Sequence, residues 1–141
     1  DDRAKGAFLG LQKSTTHADM LRAVMEGISY NLALNLAVLR QRHQFREIRV
    51  MGGCAKEVVW RQILADMFGL PVQKLSHLDE ACSMGAAVVA GIGAGVFTDS
   101  GAVAKFVQTD GLSVPQPDAA EFYENQLGRF AESYRRLQGL F

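Results

Sequence analysis

The residues best placed to do chemistry lie in the stretch 48–69, IRVMGGCAKEVVWRQILADMFG. Ile48, Val50 and Met51 form a short apolar run of the kind that makes a strand. Gly52 and Gly53 then break it. Paired glycines tolerate positive φ and let a ligand come close to the backbone. From about Lys56 the period becomes helical, with Val59, Trp60, Ile63, Leu64, Met67 and Phe68 on one broad apolar stripe. Gly69 ends that helix and Pro71 prevents its continuation. A strand–Gly-Gly–helix unit offers backbone N–H groups and a positive helix end at a sheet edge, a natural seat for a phosphate or nucleotide. By itself the same unit is more often a plain connection than a binding loop. It is not a Walker loop, because no Gly-Lys-Ser/Thr follows at the required spacing, and it is not the G-x-G-x-x-G fingerprint.

Other reactive side chains are scattered. Cys54 and Cys82 lack metal-ligand spacing and read as reduced thiols. His43 suits the negative end of a helix, and His77 a surface turn. Asp66 belongs to the helix after the glycine turn and Asp79 to a helix cap, so neither is assigned as a catalytic base. No catalytic residue and no metal ligand set is expected in this chain.

The surrounding elements must position the glycine turn. A long helix is predicted over residues 17–42, capped from among Ser14, Thr15 and Thr16. Met20, Leu21, Val24, Ile28, Leu32, Leu36 and Leu39 keep the spacing that buries one face. The small residues Ala23, Gly27, Ala33 and Ala37 leave room for a close neighbour. A second strand is predicted over 71–75, followed by a helix from about Glu80 to 90–93. That helix is nearly all small or apolar, so it is expected to be buried on most sides. Its Gly91-Ile92-Gly93-Ala94-Gly95 tail follows a helix, and reads as capping and turn. Residues 98–116 read as a solvated connection with a short helix near 102–106, capped by the Thr98–Gly101 segment. A final helix is predicted over 119–137, with Phe122, Tyr123, Leu127, Phe130, Tyr134 and Leu137 as its apolar stripe. Strands alternating with helices argue for an α/β layer with a parallel sheet.

Bulk composition narrows the class. The 141 residues are 48% hydrophobic and 21% charged, a globular balance. Fifteen basic residues offset fifteen acidic ones, so net charge points to neither nucleic acid nor membrane. The apolar run 84–97 is too short to span a bilayer. The chain opens on Asp1-Asp2-Arg3 without methionine, which reads as a fragment of a longer protein.

Three ordered blocks carry a resemblance. The first is Gly6-Ala7-Phe8-Leu9-Gly10-Leu11, continued at Asp19-Met20 and Ala23-Val24-Met25-Glu26. The second is Met51-Gly52-Gly53-Cys54-Ala55-Lys56 with Trp60-Arg61-Gln62-Ile63-Leu64-Ala65-Asp66. The third is Glu80 followed by Met84-Gly85-Ala86-Ala87. Together they resemble the C-terminal portion of the FGGY family of carbohydrate kinases, its xylulokinase-like group most of all. The resemblance is close over about residues 4–95 and looser beyond.

It implies an α/β fold of the ribonuclease-H-like, actin-like ATPase type, here a partial C-terminal lobe with few strands and several helices. Residues 1–97 would be the family-like core, 98–116 a connection and 117–141 a C-terminal helix. The implied function is the nucleotide-binding part of an ATP-dependent kinase acting on a sugar hydroxyl, xylulose or a related pentulose. Carried over, nucleotide contacts fall on Gly52, Gly53, Cys54, Ala55, Lys56 and Glu57. Cys54 replaces the usual third glycine, so it needs ordinary φ. Glu57 stands where Ser or Asn is usual near base and ribose. ATP with Mg²⁺ is the implied cofactor set. The implied partners are ATP or ADP, the sugar, and an N-terminal domain bearing the Asp-x-Gly-Thr loop and the general base. The setting is cytoplasmic, and the chain alone is expected to be inactive. Apolar faces left open would favour a homodimer. The alternatives are a non-catalytic nucleotide-binding or interaction module, and another actin-like protein such as a chaperone ATPase. The Gly6–Glu26 pattern speaks against the chaperone.

Overall fold

The computed structural model describes residues 4–76 and 80–140. The order is α1 His17–Arg40, β1 Ile48–Val50, α2 Gly53–Lys56, α3 Val58–Phe68, β2 Val72–Leu75 and α4 Ala81–Gly93. A 3-10 helix, Ser100–Lys105, then leads to β3 Thr109–Ser113, α5 Pro117–Leu137 and a last 3-10 turn, Gln138–Leu140. His77 and Asp79 lie outside the described residues.

The sheet is mixed, with order β1-β2-β3. β1 and β2 are parallel, pairing Ile48 with Val72 and Val50 with Lys74. β3 runs antiparallel on the far side of β2, pairing Val72 with Ser113 and Leu75 with Thr109. The expected parallel pair is present, and the antiparallel third strand departs from the expected pattern. β3 falls inside residues 98–116, the stretch read as a solvated connection. Its sequence, TDGLS, carries no apolar alternation, and four of its five residues are exposed. Its ladder to β2 defines it, not its own propensity.

α3 is the hub, touching α1, α5, β2 and β3. Leu64, Ala65 and Phe68 meet Ala33 and Leu36 of α1 and Val72 of β2 in one buried cluster. Ile63 joins Tyr30 and Tyr123 in a second. Tyr30 lies edge-on to Tyr123 at 5.9 Å and stacks on Phe130 at 5.1 Å. Burial pushes the Tyr30 hydroxyl up to about 12, so it stays neutral at physiological pH. Tyr123 donates to Glu26 at 2.8 Å, tying α5 to α1. Arg40 donates to the Phe68 carbonyl and so joins the ends of α1 and α3.

The ends obey local chemistry. Thr16 caps α1 in a reciprocal box with Asp19, its N–H donating at 2.9 Å and its Oγ1 accepting at 3.2 Å. Gly69 caps α3 in the left-handed region at φ 58°. Asp99 caps the 3-10 helix by accepting from the Gly101 N–H at 2.7 Å.

Three burial expectations fail in an informative way. On α1 the buried residues are Ser29, Tyr30, Ala33 and Leu36, while Leu21, Val24, Ile28, Leu32 and Leu39 of the predicted stripe are exposed. The helix is apolar on two faces, and this chain covers one of them. On α3, Val59 of the predicted stripe is also exposed. α4 was expected to be buried on most sides. Instead it packs mainly on the 3-10 helix, and its buried hydrophobic residue among the described side chains is Val88.

Candidate nucleotide turn

β1 carries the chain to the sheet edge at Met51, where Gly52 turns it with φ 83° and ψ −166°. That region is open essentially to glycine alone. Gly53 differs. Its φ is not positive, and a Cβ built there meets nothing within 4 Å. It therefore leaves the space above the turn empty. Cys54 takes ordinary φ, as its replacement of a glycine requires. Its Sγ lies 3.8 Å from the Met51 carbonyl oxygen.

The turn closes when the Ala55 N–H donates to the Gly52 carbonyl at 3.1 Å. The Gly53 and Cys54 N–H groups precede this first internal bond, where a helix cannot satisfy its own donors. The helix predicted from about Lys56 is present as α3, and a short helix, α2, precedes it. α2 ends at Lys56, Glu57 is extended at φ −87° and ψ 117°, and α3 starts at Val58. All six predicted residues, from Gly52 to Glu57, thus lie on this one turn. Ala55 is fully buried, Cys54 is half-buried, and Gly52, Gly53, Lys56 and Glu57 are exposed.

The turn is anchored from below by Arg61, which sequence reasoning did not single out for a role. Its Nη1 donates to the Ala55 carbonyl, and to that of Lys56 at 3.2 Å. Arg61 is itself buried. The signal was present: residues 61, 64, 65 and 68 form an i, i+3, i+4, i+7 face that is buried throughout. An arginine on such a face needs buried acceptors.

Asp66 is equally committed to structure. Its Oδ1 accepts from the Gln116 N–H and from Gln62 Nε2, each at 2.8 Å. Gln62 also donates to the Val114 carbonyl at 2.9 Å. The pair latches the start of α5 onto α3. Among the described residues no group of three or more His, Cys, Asp or Glu could hold a metal. Among the described residues no helix is long and apolar enough to cross a membrane.

Two hollows lie away from the turn. One, of about 310 Å³, is lined by Leu36, Arg40, Asp66 and Leu127 among others. The other, of about 750 Å³, lies between residues 5–9, α1 and α5. The glycine turn itself is exposed at Gly52, Gly53, Lys56 and Glu57, over the buried Ala55 and Arg61.

Comparison with known proteins gives the family. The xylulose kinase of Staphylococcus epidermidis is 34% identical over 142 aligned residues, covering 99% of this chain and 28% of that protein. Glycerol kinase 5 of Danio rerio is 34% identical over 123 residues, covering 86% of this chain and 23% of that protein. Among solved structures, the ligand-bound xylulose kinase of Lactobacillus acidophilus superposes with a TM-score of 0.84 at 27% identity, covering 96% of this chain and 28% of that one. The chain thus spans little more than a quarter of the length of the kinases it matches. These neighbours share the actin-like ATPase fold. Residues 1–94 match the C-terminal domain of the FGGY family of carbohydrate kinases, and the chain belongs to that family.

Proposed function

We propose that this chain is the nucleotide side of an ATP-dependent sugar kinase, with xylulose or a related pentulose as acceptor. The observation that carries the reading is the whole-length similarity to xylulose kinases in both sequence and structure. ATP lies across Gly52, Gly53, Cys54, Ala55, Lys56 and Glu57. The Gly53 and Cys54 amides face its phosphates, and the exposed Glu57 carboxylate accepts from the adenine amino group or a ribose hydroxyl. Mg²⁺ arrives with ATP and neutralises phosphate charge. The acceptor sugar and the general base belong to the remaining length of the kinase, and closure between the two parts excludes water. A cytoplasmic setting follows from this metabolic role.

The test is an activity reconstitution. The chain alone, given ATP, Mg²⁺ and xylulose, is expected to form no sugar phosphate. Joined to the preceding portion of its parent protein it is expected to do so, and Gly53→Trp is expected to abolish the gain. Phosphorylation by the isolated chain contradicts the division of labour.

The exposed apolar faces of α1 and α4 favour a second reading, an interaction module that need not catalyse. Those faces serve either role. Reconstituted activity separates the two.

A further inference from the structure

Arg61 is an unusual residue to bury. Its side chain lies under the turn, 8% exposed, with no ion pair to a carboxylate among the described residues. Its Nη1 is spent on the Ala55 and Lys56 carbonyls, and its Nε is buried without a hydrogen-bond partner. A guanidinium in this state is a poor stabiliser, because the lost hydration is only partly replaced. Gly111 of β3 lies beside it, where a Cβ would make ordinary contact at 3.8 Å from Arg61 Nη2.

The two carbonyls it holds are the last of α2, where four residues of helix cannot satisfy their own acceptors. By donating to both carbonyls from α3, the Arg61 side chain ties the exit of α2 to the helix that follows it. α2 is four residues long, so a constraint on its last carbonyls bears on the Gly53 and Cys54 amides at its start.

We infer that Arg61 is the positioning residue of the nucleotide turn. It fixes the exit of α2 and thereby holds the phosphate-facing amides in place, without touching the nucleotide. This rests on the nucleotide reading given above. A merely structural arginine would change stability and leave the turn's own order alone.

The experiment combines amide hydrogen exchange with ATP titration on the full chain, for wild type, Arg61→Gln, Arg61→Lys and the core variant Leu127→Ala. Arg61→Gln is expected to speed exchange at residues 53–57 about tenfold while α1 and α5 amides stay protected, and to weaken ATP binding about tenfold. Arg61→Lys, which keeps charge and a donor, is expected to fall between it and wild type, and it serves alone should the glutamine variant fail to fold. Leu127→Ala is expected to lower thermal stability and leave affinity unchanged. Wild type that binds ATP, with the Arg61 variants binding equally well and exchange at 53–57 unaltered, overturns the inference alone. Wild type that binds no ATP overturns the nucleotide reading, and the inference with it.

Discussion

α3 and α4 are both rich in apolar residues, and both follow a parallel strand. They end in opposite surroundings. α3 is enclosed by α1, α5 and the sheet, with Ile63 at 2% and Leu64 at 1% exposure. α4 carries a more apolar sequence, ACSMGAAVVAGIG, yet Val89 is 70% exposed. The outer face of α1 behaves like α4. Composition therefore announces that a face will be covered, but the covering element need not lie in the same 141 residues. The chain spans about 28% of the xylulose kinases it matches, and in the function proposed here the rest of the kinase covers α4 and the outer face of α1.

The largest effect expected from this contrast is at Leu64. Leu64→Ala empties a fully enclosed site and should cost about 2–5 kcal/mol in urea unfolding. Val89→Ala on α4 should stay within about 0.5 kcal/mol in the same assay. Comparable losses at the two sites would break the comparison.

Next is the latch between α3 and α5. Asp66→Ala leaves the Gln116 N–H and one Gln62 bond without their acceptor, at a cost of about 1–3 kcal/mol. Fraying confined to residues 114–118, read by amide exchange, would sharpen the view of α3 as the hub. A neutral result would mean that α5 is held by its contacts with α1, the Tyr123–Glu26 hydrogen bond and the Tyr30 aromatic cluster.

Gly27→Ala runs the other way. A Cβ there meets nothing within 4 Å, and glycine inside a helix costs about 1 kcal/mol relative to alanine. The variant should raise the melting temperature of this chain. A loss would show that the cleft beside α1 is already occupied.

The smallest effect is at the start of α1. Hydrogen bonds from the Thr16 backbone N–H and then its side chain hold the Asp19 carboxyl below its usual value. A depressed carboxylate stabilises the fold above its unfolded pKa, and that contribution disappears as pH falls through the folded value. Asp19→Asn should remove this part of the acid dependence below about pH 4. Unchanged acid unfolding would assign the dependence to other carboxylates.

Legibility followed the same division. The glycine turn, both parallel strands and the ends of α3 could be read because each rests on local chemistry: β-branched residues, Gly52 and Gly69. The Thr16–Asp19 box could be read only as a candidate cap. β3 could not, because Asp110-Gly111 in its middle argues against a strand and only pairing with β2 creates one. The exposed stripe of α1 was misjudged because spacing marks apolar faces without saying which of two meets the core. Arg61 was quoted within a sequence block, yet its role depends on carbonyls brought beneath the turn by the break at Glu57.

Whether the turn holds a nucleotide can be measured directly. ATP titrated into the ¹⁵N-labelled chain should shift backbone amides at residues 52–57 in a saturable way, with micromolar affinity, and Gly53→Trp should abolish the shifts while leaving the core spectrum intact. Shifts that gather elsewhere, or that survive Gly53→Trp unchanged, would contradict it.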